Sequence, residues 1–158
     1  MLALEHHPDQ KPFIGQWTRE QHLETMARPG REHWIIEGAE DATPQGYLIA
    51  YDARDAGYGI YIKRIALAEK GAGIGRAALQ QFMRHVREAH DTGVVSLAVR
   101  SHNERAQRCY RAVGFGVVDL DQAERARFLA QVDPVPDECL IMVFGSPWGH
   151  GDMERTIS

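Results

Sequence analysis

Apolar residues change their period several times along the chain, and each change marks an element. Thr18 followed by Gln21 is a capping-box signature that predicts a short helix through about Ala27, stopped by Pro29-Gly30. Trp34 to Glu37 and Gly46 to Tyr51 read as strands on either side of the turn-rich stretch 38–45. From Gly59 to Leu67, Ile60, Ile62 and Ala66 fall on one face and Tyr61, Ile65 and Leu67 on the other, as in a largely buried strand. Helical spacing then takes over. Ile74, Ala78, Leu79, Phe82, Met83 and Val86 form one stripe with Arg76, Gln80, Arg84 and Arg87 outside it, and this helix is expected to end near Gly93. Val94 to Val99 is a compact β-branched strand, and Ala106, Cys109, Tyr110 and Val113 mark a second amphipathic helix terminated by Gly114. Phe115 to Leu120 and Glu138 to Phe144 read as the last strands, enclosing a helix from Gln122 to Gln131 that Pro134 and Pro136 close. Strands leading into helices mid-chain, with antiparallel-looking strands on both sides, predict a mixed α/β (α+β) domain.

Length and composition narrow this picture. A chain of 158 residues and 17.8 kDa with 44% apolar residues and mean hydropathy -0.39 suits one globular domain, read here as residues 1–144 with a loose tail over 145–158. The first strand and helix of that domain read as shortened, with Met1 to Glu5 as merely the end of that helix, because only eleven residues precede Pro12. No apolar run approaches a membrane span and the start lacks signal-peptide character, so the expected address is cytoplasmic with no membrane partner. Cys109 and Cys139 read as inert thiols, and the eight histidines show no ligand pair at metal spacing, so no structural metal is expected.

The net charge of -4 argues against a nucleic-acid partner but conceals an asymmetry. Residues 63–111 hold ten basic side chains against four acidic ones, or +6, while the remainder carries eight against eighteen, or -10. A basic middle fits either an anionic ligand or ordinary solvated helix faces.

The stretch Ile65-Ala66-Leu67-Ala68-Glu69-Lys70-Gly71-Ala72-Gly73-Ile74-Gly75-Arg76 runs from a strand through a tight turn into a helix. Glycines there allow positive φ, and the free amides of the helix start make an anion site suited to phosphate. The spacing excludes G-x-x-x-x-G-K-[ST], and Arg76 stands where a dinucleotide motif has its third glycine. Lys70-Gly71-Ala72-Gly73-Ile74-Gly75 instead resembles the acyl-CoA signature [Q/R]-x-x-G-x-[G/A] of the GNAT superfamily of N-acetyltransferases, with lysine as a departure in the first place. Downstream, Asn103, Ala106, Tyr110 and Gly114-Phe115 match the family pattern N-x-x-A-x-x-x-Y-x-x-x-G-F at every named position.

The resemblance, over roughly residues 34–144, implies a central, mostly antiparallel mixed sheet flanked by helices, with two splayed parallel strands admitting acetyl-CoA. Ile65, Ala66 and Leu67 would pair with the pantetheine through their backbone, and Lys70, Gly71, Ala72, Gly73, Ile74, Gly75 and Arg76 would hold the pyrophosphate. Arg105 or Arg111 would add charge. Amides near Leu67 would face the developing oxyanion, and Tyr110 would act as general acid, against the plain alternative that it is one more residue of its helix's apolar stripe. Ala106 and Asn103 belong to the cofactor side, although Asn103 also suits a helix cap unless Ser101 and Glu104 form the capping box instead. Where many members place a glutamate base, this chain has Tyr61; Glu37 is a weak substitute and a water relay another. Phe13, Trp17 and the excursion 121–137 are candidate acceptor walls. The implied reaction is acetyl transfer to a primary amine of a small molecule or protein, with the acidic remainder favouring a cationic acceptor and a homodimer left open. The rival is a non-catalytic acyl-CoA-binding sensor or interaction module, which the missing glutamate supports and Tyr110 opposes.

Overall fold

The sheet is sided by the helices Ile74–Ala89 and Glu104–Val113 on one face and by the helix Gln122–Gln131 with the N-terminal segment on the other, and this two-sided burial explains the near-continuous apolar character of its central strands. The computed structural model describes residues 1–54, 57–90, 92–132, 135 and 138–145, and the backbone of 156–157. Elements follow in the order α1 (Leu2–Glu5), α2 (Arg19–Ala27), β1 (Arg31–Glu37), β2 (Pro44–Asp52), β3 (Ile60–Leu67), α3 (Ile74–Ala89), β4 (Val95–Arg100), α4 (Glu104–Val113), β5 (Gly116–Val118), α5 (Gln122–Gln131), β6 (Cys139–Phe144) and β7 (Thr156–Ile157).

The strand order is β1-β2-β3-β4-β6-β5-β7. Only β3 and β4 run parallel, and they pair over three positions, Ile60 with Val95, Tyr61 with Ser96 and Ile62 with Leu97. Every other neighbouring pair is antiparallel. Beyond Leu97 the two strands have no ladder contact among the described residues, and this opening positions the site.

Local signals account for most boundaries. Thr18 and Gln21 form the anticipated capping box of α2, Asp121 and Glu124 form another on α5, and Gly114 closes α4 in the left-handed region. Leu79, Phe82, Met83 and Val86 of α3 pack on Leu48, Ala50, Ile60, Ile62 and Leu97, while Phe128 and Val132 pack on Tyr58, Tyr61 and Val143 across the sheet.

The structure departs from the sequence reading in several places, the smallest being α3, which ends at Ala89 before the expected Gly93, and β1, which starts at Arg31 before Trp34. Register jumps from Ile49–Arg64 to Ala50–Ile62, so Lys63 is an extra residue, a β-bulge. The alternation therefore breaks: Ile65 joins Ile60 and Ile62 on the α3 face, and Ala66 lies with Tyr61 on the other. β5 stops at Val118 instead of Leu120, as the chain turns to offer Asp121 as the α5 cap. Of the tail read as loose, Thr156–Ile157 pairs with β5, while 146–155 and 158 lie outside the described residues, as do Pro134 and Pro136.

Candidate acyl-CoA site and its relatives

A cleft of about 560 Å³ opens where β3 and β4 diverge, within the usual range of small-molecule sites. Its lining gathers Ile65, Leu67, Lys70, Gly71, Gly73, Gly75, Arg76, Asn103, Ala106 and Tyr110 from stretches more than 25 residues apart. Ala66, Ala72 and Ile74 are absent from it: the bulge turns Ala66 to the opposite face, and Ile74 faces a separate depression beside β1.

At one end the turn is built for a close approach. Gly71 and Gly73 have φ of +99° and +78°, and a Cβ on Gly73 would meet nothing within 4 Å. Positive φ is costly for other residues, and the empty space above Gly73 is where an anion can reach the first amides of α3. Gly73 is the N-cap of α3 and offers no side-chain cap, so those amides have no capping side chain. Arg76 and Arg105 line the same end, whereas Arg111 does not. Lys70 bends away from the turn and donates to the Asp9 carbonyl at 2.7 Å.

Asn103 is the N-cap of α4, its side chain accepting from Ala106 N at 3.2 Å, so the Ser101–Glu104 alternative fails and Asn103 Oδ1 is already engaged. Tyr110 sits half-buried on α4 against Phe115, ring centroids 5.9 Å apart. Burial pushes its phenol well above the ordinary 10, so the group keeps its proton through the neutral range. Burial likewise raises the Cys109 thiol, against smaller pulls from Arg76 and Arg105, which agrees with an inert cysteine.

The far end is held by groups that sequence reasoning missed. The Glu5 carboxylate, fully buried, accepts from Tyr47 Oη, from Arg64 and from Trp17 N at 2.8 Å, and lies 3.0 Å from His22 Nε2. Burial alone would raise its pKa, but the Trp17 and Tyr47 hydrogen bonds with the Arg64 and His22 charges hold it below 4.5. The bulge at Lys63 brings Arg64 to this face, where its guanidinium also stacks 4.5 Å over the Trp17 ring. Gln10 donates to the Leu67 carbonyl at 2.8 Å, tying the N-terminal segment to the end of β3. Phe13, Trp17 and Val135 complete this wall, so the excursion 121–137 does reach the cleft.

No carboxylate lines the cleft among its described residues. Tyr61 does, as a 2% exposed ring, while Glu37 is exposed beside the depression on β1 and is not placed to act as base. The basic lining divides: Lys70, Arg76 and Arg105 stand near the glycine turn, Lys63 and Arg100 toward Cys139, and Arg64 is turned to Glu5.

The model of the acetyltransferase (GNAT) family matches residues 2–115, which is most of the chain. The chain belongs to the GNAT family. Mycothiol acetyltransferase of Propionibacterium freudenreichii subsp. shermanii is 26% identical over 132 residues, covering 75% of this chain and 38% of that protein, so the chain spans well under half of this curated relative. In fold, this GNAT chain superposes on the spermidine N-acetyltransferase of Vibrio cholerae, solved with CoA and spermine, with a TM-score of 0.64 at 12% identity over 90% of this chain and 85% of that one. The ribosomal-protein-S18-alanine N-acetyltransferase of Escherichia coli gives 0.62 at 16% identity, over 90% and 83%. Membership of the family makes this an acetyltransferase-type domain. Among the described residues no helix is long and apolar enough to cross a membrane.

Proposed function

We propose that this protein transfers an acetyl group from acetyl-CoA to a primary amine by direct attack within a ternary complex. The observation that carries the reading is the meeting, in one cleft, of the open end of a parallel strand pair, a left-handed glycine turn and a tyrosine that holds its proton. The residues present fit the donor. The amides of Gly71 to Arg76 would receive the pyrophosphate, with Arg76 and Arg105 adding charge, and the backbone of Ile65 to Leu67, which has no ladder to β4 and of which Gln10 already holds the Leu67 carbonyl, would receive the pantetheine amides.

Acetyl-CoA supplies a thioester whose carbonyl an amine can attack and whose sulfur leaves as a thiolate. Tyr110 would deliver a proton to that sulfur, a contribution of about 10²–10⁴ in rate for a well-placed acid. The cleft walls align the two reactants and exclude water between them, and alignment is the larger part of the acceleration. Since no carboxylate lines the described cleft, the amine would shed its proton to water before attack.

The same lining bears on the acceptor. No acidic side chain lines the described cleft while Arg76, Arg100 and Arg105 do, Arg64 being matched by the buried Glu5 behind it, which supports a neutral or carboxylate-bearing amine over a polyamine, against the expectation drawn from overall charge. An amine panel containing amino acids, a peptide N-terminus and spermidine, read by release of free CoA thiol, tests this directly; spermidine as the best substrate would refute it. Tyr110→Phe should lower kcat by about a hundredfold and leave acetyl-CoA affinity unchanged. The lack of a lining carboxylate favours one rival, an acyl-CoA-binding sensor. Calorimetric binding of acetyl-CoA with no thiol released by any amine would establish the rival.

A further inference from the structure

At the opposite end of α3 from the glycine turn, three side chains that are distant in sequence converge. Glu32 comes from β1, His85 from the last turns of α3 and His90 from its C-cap. His90 Nε2 lies 2.6 Å from Glu32 Oε1 and His85 Nε2 lies 3.5 Å from Glu32 Oε2, and one ligand atom from each residue falls within 4.8 Å of the other two. The Nε2 atoms of both rings are shielded from water, yet neither completes a hydrogen bond among the described residues. Two buried nitrogens aimed at one carboxylate without satisfying each other are what a shared cation would resolve.

We propose that Glu32, His85 and His90 bind a divalent transition-metal ion of the zinc class, with water completing the shell. Two imidazole nitrogens and one carboxylate oxygen are a donor set that zinc accepts, and tetrahedral bonds of about 2.0–2.1 Å put ligand atoms roughly 3.3 Å apart. The present spacings bracket that value, so small side-chain rotations suffice. One side stays open, because His85 is 33% exposed.

The surroundings favour a cation. Trp34 Nε1 donates to Glu32 Oε2 at 2.9 Å and holds the carboxylate in place, as outer-shell partners of metal ligands do. The Trp34 ring packs edge-on against His85 at 4.5 Å and restrains it. Arg54, which donates to the His90 carbonyl at 3.2 Å, is engaged by Asp52 at 2.6 and 2.9 Å, so a carboxylate faces its charge. The negative end of the α3 dipole adds attraction. The 16 residues of α3 span about 24 Å, which separates this site from the acyl-CoA end and makes the metal a clasp between edge strand β1 and α3, outside the chemistry.

Untagged, chelator-stripped protein should bind one equivalent of zinc chloride in calorimetry, with a higher melting temperature. Cobalt(II) should give the intensified visible absorption of a four-coordinate site. Glu32→Gln, His85→Gln and His90→Gln should each abolish stoichiometric binding, and Trp34→Phe should weaken it about tenfold. His102→Gln, outside the cluster, should bind as wild type. Circular dichroism and acetyl-CoA binding report whether each variant is folded. Substoichiometric zinc on the wild-type chain, or zinc binding unchanged in the three ligand variants, would overturn the proposal.

Discussion

The two ends of the cleft are held together in different ways. The glycine-turn end is local: the left-handed turn leads straight into α3, and the Asn103 cap sets α4 a few residues before Tyr110. The far end is long-range, since Glu5 reaches Tyr47 across 42 residues and Arg64 across 59, and Gln10 reaches Leu67 across 57. One end depends on backbone conformation, which a few residues dictate, the other on a buried charge cluster that exists only once the N-terminal segment docks on the sheet.

Removing the carboxylate at the centre of the long-range end should have the largest effect. Glu5→Ala leaves Arg64 buried without its partner, a loss of about 3–5 kcal/mol and roughly 10 °C in melting temperature. Acetyl-CoA affinity of the folded fraction should hardly change. A melting temperature equal to that of wild type would remove the contrast between the ends. Gly73→Val attacks the local end instead: a β-branched residue at φ +78° costs about 1–3 kcal/mol and fills the space an anion would use. Its acetyl-CoA Kd should rise about tenfold or more, and a calorimetric Kd matching wild type would mean that the turn holds no phosphate.

Acidification should loosen the far end first. His22 and His33 both have pKa values below the ordinary 6.5, burial being the main cause in each. The unfolded chain therefore takes up protons before the folded one as pH falls, so stability present above about 6.5 is lost progressively below it. Thermal melts at neutral and mildly acidic pH should show a fall of a few degrees, shallower in His33→Gln; a flat profile would show that these rings titrate normally. Glu5, with its pKa below 4.5, adds a further loss only at stronger acidity. The smallest effect is expected for Arg105→Ala, an exposed cation at the turn: an acetyl-CoA affinity loss under about fivefold that disappears in high salt.

What was legible in the sequence follows the same division. The α2 capping box, the α3 stripe, Gly114 and the span of α5 were all readable because each is decided within one or two turns of chain. So was the meeting of the glycine turn with the Asn103–Tyr110 block, through their resemblance to the family. Lys63 was not read as a bulge because alternation assumes an unbroken ladder, and the extra residue shows only in pairing with β2. Glu5 read as part of a shortened helix, since nothing near it in sequence announces Arg64 or Tyr47. His85 and His90 are five apart, roughly 140° around an ideal helix, and they converge only because the helix ends at Ala89.

The bulge makes the length of β3 a constraint in its own right. Losing the register slip while Lys63 stays in the strand would throw the Arg64 guanidinium onto the α3 side of the sheet and leave Glu5 without its cation. A length change that moves Arg64 by one position is therefore two lesions at once, whereas the turn at 38–43, which joins β1 to β2 at the sheet's edge, has room for extra residues. Length variation in descendants of this chain should accumulate in that turn and be purged from β3, even where side-chain chemistry drifts freely.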